Sequence, residues 1–152
     1  MNFLTDNFTL EELTKSQTAK RFGFDEQYTP SQQVINNLTY LVEQVLEPIR
    51  AKFGSFSPTC AYRSGRVNNK VGGAKASFHL YGQAADIDLG SIEKNRALFD
   101  YIKSKLPFTE LINEFDYDWI HVGIAKGREK EKVCKYIHYV GKDKVTDITS
   151  KG

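Results

Sequence analysis

An α+β fold, with helices packed against a small, mostly antiparallel sheet, is predicted by three features of the sequence. One long apolar stripe at helical spacing (Val34, Ile35, Leu38, Leu41, Val42, Val45, Leu46, Ile49, Phe53) marks a scaffold helix. Four short runs, 84–89, 109–115, 119–124 and 133–140, read as strands, two of them joined by the tight polar connection Asp116-Tyr117-Asp118. A second helical stripe, Ile92, Leu98, Phe99, Ile102 and Leu106, completes the pattern of helices laid on a sheet. At 152 residues, 40% hydrophobic and 26% charged, the chain fits one domain spanning 1–152 with its own core.

Taken in order, Thr9 and Glu12 stand at capping-box spacing around Leu10, so a short helix opens the chain. After a polar connection over 21–28, Thr29-Pro30-Ser31-Gln32 supplies a cap and a first-turn proline for the scaffold helix, which Gly54 ends. Pro48 removes one hydrogen bond inside that helix, so a kink or break is expected near 46–49. Residues 56–62 read as a further strand leading into Arg63. The glycine-bearing loop 64–76 lacks the Gly-Lys-Ser/Thr ending of a phosphate loop and is expected to wrap the edge of a site, with one helical turn over 67–71. Ser91 caps the second long helix and Pro107 closes it. Alternating charges over 126–135 describe a solvated loop, and the polar tail from about 142 is expected to be loosely ordered.

A formal net charge of +2 is too small to argue for a nucleic-acid partner. No stretch reaches the ~18 apolar residues of a membrane span, and the start lacks the basic and apolar regions of a signal peptide. No membrane partner is therefore expected, and the chain is read as made in the cytoplasm without a leader of its own. Cys60 and Cys134, far apart and without Cys-x-x-Cys spacing, are read as small buried hydrophobes. A monomer is expected.

The densest chemistry lies between Ser77 and Asp86, where His79 and Asp86 flank Gly82, a residue free to take positive φ and reverse the chain. A third donor, His121, sits in the β-favouring run Trp119-Ile120-His121-Val122-Gly123-Ile124. A His, Asp, His set matches an open catalytic zinc site better than a closed, thiolate-rich structural one. Asp86 and Asp88 share one face of their strand, roughly 7 Å apart, so pleat geometry alone leaves either as the ligand. Asp88 is also a candidate to hold a ligand imidazole by its other nitrogen, and His138 is read as a surface residue or a support lining the cleft.

The pattern Ser77-x-His79-x-x-Gly82-x-Ala84-x-Asp86, followed by Trp119-x-His121, resembles the signature of the zinc D-Ala-D-Ala carboxypeptidases and dipeptidases of peptidase family M15. Within it the phage-type L-alanyl-D-glutamate endopeptidases are the most similar members. Thr9-Leu-Glu-Glu-Leu13, Leu46-Glu-Pro-Ile-Arg50, Tyr62-Arg-Ser64 and Val71-Gly-Gly73 follow in the family's order. The resemblance implies one Zn2+ held by His79, Asp86 and His121, with Asp86 rather than Asp88 as the carboxylate ligand. It also implies Arg63 as the cation facing a developing oxyanion, and Ser77 as a substrate-binding or loop-supporting residue. The implied reaction is hydrolysis of peptidoglycan stem peptides at D-amino-acid junctions by metal-activated water. It would act on the wall after release at lysis or as a virion component. The alternatives are a non-catalytic peptidoglycan-binding or virion structural protein on the same zinc fold, and a metal-free interaction domain.

Residue geometry and resemblance diverge over the general base. The family's catalytic acidic residue lies three positions before the last histidine ligand, which here is Asp118. Residues three apart on a regular strand face opposite ways, so Asp118 reaches the site only if the turn over 116–118 bends the chain back. Asp118 is the assigned base, with Glu114 as its competitor and Asp116 as a weaker one.

Overall fold

The computed structural model describes residues 1–152. In chain order they form β1 (Phe3–Thr5), β2 (Phe8–Thr9), α1 (Leu10–Thr14), α2 (Gln17–Phe22), α3 (Gln32–Leu41), α4 (Glu47–Phe53), α5 (Gly65–Lys70), β3 (Ala84–Ile87), α6 (Ile92–Lys105), β4 (Glu110–Glu114), β5 (Trp119–Gly123), β6 (Val133–Val140) and β7 (Asp143–Ser150). β1 and β2 form a small ribbon, and the other five strands one sheet in the order β3-β5-β4-β6-β7. Every pairing in that sheet is antiparallel except β4 with β6. The fold is α+β, as the sequence pattern predicts.

The helix ends follow local chemistry. Thr9 Oγ1 accepts from the Glu12 N–H, and Ser91 Oγ from the Lys94 N–H. The scaffold helix is capped by Ser31, whose hydroxyl accepts from the Val34 N–H, rather than by Thr29, so Pro30 lies ahead of the cap. Pro48 does not break the rod. Residues Val42–Leu46 widen into a π-helical turn, and Pro48 falls in the first turn of α4 just after it. Leu38, Leu41, Val42, Val45, Leu46 and Ile49 along this rod are fully buried.

Three expectations are corrected. Residues 56–62 form no strand; Pro58 lacks a donor, and the segment meets the sheet only at one bridge. There Asp86 N–H donates to Cys60 O at 2.7 Å and Thr59 N–H to Asp86 O at 2.9 Å. The polar connection over 21–28 takes the end of α2, a helix the pattern did not predict, and a 3-10 turn, Asp25–Tyr28. The tail is β7, paired along its length with β6, with Thr149 Oγ1 donating to Cys134 O. Its residues are nearly all exposed, so no apolar alternation marked it.

The pleat divides the sheet by function. Ala85, Ile87, Leu111, Ile120, Val122 and Cys134 point into the core with the helices. Their alternates, among them Asp86, Ile112, Glu114, Trp119 and His121, line an open cleft of about 630 Å³ on the opposite face. No helix is long and apolar enough to cross a membrane.

Candidate metal centre

His79 lies on the 3-10 turn Phe78–Tyr81, which is capped by Ser77 Oγ accepting from the His79 N–H at 3.2 Å. Gly82 ends the turn in the left-handed region at φ +69°, and a Cβ there would stand 2.9 Å from Val34 O and 3.0 Å from Leu38 Cγ. Only glycine satisfies both the backbone angle and the contact with α3. Asn37 Nδ2 on α3 donates to Tyr81 O, tying the turn to the scaffold rod. The chain then enters β3, where Asp86 is the direct register partner of His121 on β5. A turn and a strand register, together, place the donors side by side.

Asp86 Oδ1 is the meeting point. His79 Nε2 lies 3.2 Å from it and His121 Nδ1 3.0 Å. Donors about 2.0–2.1 Å from a tetrahedral zinc stand roughly 3.3 Å from one another, so both spacings fit such a centre. The outward nitrogens are anchored. His79 Nδ1 donates to the Ala61 carbonyl at 2.5 Å, and a carbonyl can only accept, which fixes the tautomer and leaves Nε2 free to ligate. His121 Nε2 donates to Glu110 Oε2 at 2.7 Å, and Lys135 Nζ lies 3.3 Å from the other Glu110 oxygen. His79 and His121 are both buried.

Burial opposes charge on both imidazoles, but the Asp86 carboxylate outweighs it, raising the His79 pKa to about 9. His121, facing Asp86 and Glu110 together, is raised to about 10 against the same burial. Burial would also raise Asp86, yet the two imidazoles hold its carboxyl well below the usual carboxylate range. The cluster thus stabilises positive charge at its centre, which is the electrostatic requirement of a cation site.

The sequence matches the family model for Peptidase M15 over residues 6–123, most of the chain. The chain belongs to the M15 peptidases. No curated protein matches it. M15 enzymes are zinc-dependent in general, and the site brings together groups of donors that could hold a metal.

In this M15 peptidase two groups of donors each lie within 4.8 Å of one another: Cys60, His79 and Asp86, and Asp86, Glu114 and His121. Asp86 belongs to both. Cys60 Sγ is 3.9 Å from His79 Nδ1, the nitrogen already engaged by Ala61, so the thiol lies off the ligating side of that ring. Cys134 is buried as expected, whereas Cys60 is only partly so. It faces a second cavity of about 850 Å³ that shares Arg63, Val71 and Asp86 with the cleft.

Glu114 lines the cleft and Asp118 does not. Ile112 is the register partner of His121, and Glu114, two residues on, shares its face of β4. Asp118 lies in the β4–β5 turn with its side chain exposed, its N–H closing the turn on Glu114 O at 3.0 Å. Phe115, Asp116 and Tyr117 run through the left-handed region at φ 53°, 56° and 63°. Such residues cost about 1–2 kcal/mol each. Asn113 Oδ1 accepting from the Tyr117 N–H, and Asn95 Nδ2 donating to Tyr117 O, help offset this. The chain does turn back, but it carries Phe115 rather than Asp118 into the cleft.

Arg63 lines the cleft, its Nη2 3.4 Å from Ser77 Oγ and its buried Nε without a hydrogen-bond partner. Ser77 thus carries the turn and touches Arg63 with the same oxygen. Asp88 is turned away, accepting from the Gly90 N–H and Asn95 Nδ2. The carboxylate that holds a site imidazole is Glu110, which the sequence reading missed. Its signal was alternation with Ile112 and Glu114 on one strand. His138 pairs with Asp147 at 2.7 Å and stacks on Tyr136, outside the cleft.

Removing an outer partner of a metal-binding histidine typically lowers metal affinity by about 10–100-fold. Glu110→Gln is therefore expected to weaken zinc binding by that factor in a chelator competition titration, with the folded far-UV spectrum retained. Unchanged affinity would reduce Glu110 to a partner of Lys135.

Proposed function

We propose that this M15 peptidase is a zinc enzyme hydrolysing peptide bonds of peptidoglycan at D-amino-acid junctions, with His79, Asp86 and His121 holding the metal. The reading is carried by the convergence of His79 Nε2 and His121 Nδ1 on one oxygen of a buried carboxylate. Zinc bound there would supply a Lewis acid and lower the pKa of water towards neutrality. Glu114, close to Asp86 and His121 yet not hydrogen-bonded to either, takes the proton as the water oxygen attacks the amide carbon, and returns it to the leaving nitrogen. Arg63, with guanidinium donors free of any carboxylate partner, meets the negative charge that develops on the carbonyl oxygen. Ser77 holds Arg63 and the His79 turn in place. The similarity of the motif to phage-type endopeptidases supports peptidoglycan stem peptides as partners. It also supports action on the wall after release at lysis or from a virion.

The test is digestion of purified sacculi with mass spectrometry of the released muropeptides, alongside elemental analysis. One zinc per chain and new amino termini, lost on chelation and restored by zinc, are expected. Zinc without cleavage would make the protein a wall-binding component, and absence of zinc would reject the metal centre.

A further inference from the structure

The cleft continues past the metal donors onto strands that lie beyond the residues matched by the family model, 6–123. Lys135, Ile137, Tyr139, Lys144 and Thr146 of β6 and β7 line the same cleft as His121 and Glu114. The register runs Glu114 to Ile137 to Thr146 across β4, β6 and β7. Strands spaced about 4.8 Å apart place Thr146 roughly 10 Å from Glu114, and Lys144, two residues along, shares its face. Lys135 is paired with Glu110. Lys144 appears in none of the chain's ion pairs. Its register partner Tyr139 is 62% exposed, and the Tyr139 ring stacks on Phe115 with centroids 5.1 Å apart. Phe115 in turn packs on Trp119 at 5.4 Å. An aromatic ledge therefore leads from the metal centre to an unpaired ammonium.

We infer that this hairpin builds an anionic subsite, in which Lys144 takes a carboxylate of the peptide substrate while Tyr139, Phe115 and Trp119 pack under its apolar stem. The inference rests on the peptidase reading. At about 3.4 Å per extended residue, the carboxylate recognised lies roughly three residues along from the scissile bond, or nearer on a long side chain. An exposed aromatic surface beside a cation fits a ligand with an apolar body and a charged end, and a bare phosphate or metal would leave the ledge unused.

The experiment is calorimetric binding to the zinc-loaded Glu114→Gln protein, which retains peptide uncut. The probes are a synthetic stem pentapeptide with free carboxylates and its fully amidated counterpart. Amidation is expected to weaken binding to the parent by about 2–5-fold, the scale of an exposed ion pair. Adding Lys144→Ala should abolish that difference and Lys144→Arg should restore it. Equal binding of the two peptides, or undiminished discrimination with Lys144→Ala, overturns the inference and leaves the peptidase reading standing. Failure of either peptide to bind, with no cleavage by the wild-type protein, overturns both.

Discussion

Glu114→Gln is expected to lower kcat by about 10²–10⁴-fold with zinc content unchanged, the usual contribution of a positioned general base. Asp118→Asn, by contrast, should stay close to wild type. The difference follows from where the pleat aims the two side chains: Glu114 shares the face of His121, and Asp118 is exposed on the turn. Burial raises the Glu114 pKa above the ordinary carboxylate value, with the His121 charge opposing it, which brings the group nearer the operating pH of a base. Zinc must be measured on both variants. A large loss in Asp118→Asn together with near-normal turnover in Glu114→Gln would return the role to Asp118.

Alanine at His79, Asp86 or His121 is expected to remove most of the bound zinc and with it all turnover, whereas Cys60→Ser should keep both. Loss of zinc in Cys60→Ser would shift the centre towards the thiol. The same residues set a pH dependence. After chelation both imidazoles have pKa values raised from 6.5, to about 9 and about 10. Their ion pairs with Asp86 and Glu110 therefore stabilise the chelated protein fully below about 6.5 and fade as pH rises through about 9 to 10. The Asp86 contribution has the opposite sense, present above the ordinary aspartate value and lost as pH falls through its depressed one. A ligating imidazole must be neutral, so zinc binding at pH 7 should expel about two protons, and affinity should rise with pH until both are gone. Calorimetry in buffers of different ionisation enthalpy counts those protons, and a count near zero would mean that the histidines are not the ligands.

The placing of His79 beside Asp86 was legible because His79, Gly82 and Asp86 lie within one short stretch, whose turn chemistry is written in the residues themselves. The base was not. Pairing Phe115 with Trp119 across a three-residue connection would put Asn113 opposite His121 and turn Glu114 to the other face. The observed register pairs Glu114 with Trp119, leaves four residues in the turn and puts Ile112 opposite His121. A slip of one residue thus decides whether Glu114 reaches the cleft, and sequence alternation does not distinguish the two registers. β7 escaped notice for a different reason: a solvated edge strand such as Asp143–Ser150 buries too little to need apolar residues. The scaffold rod was legible from its stripe, and the irregularity expected near Pro48 takes the form of a widened turn just ahead of it.

That widened turn gives the rod's length one residue of slack. A π turn holds one residue more than the α-helical turn it replaces, so removing one residue from Val42–Leu46 would let it close to α-helix with the two ends of the rod kept in orientation. The upstream part holds Val34, Asn37 and Leu38 against the His79 turn, and the downstream part seats Ile49 in the core and Phe53 against Tyr101. A second deleted codon would turn the two ends by about 100° and force a choice between the His79 turn and the core, although it touches no residue of the site.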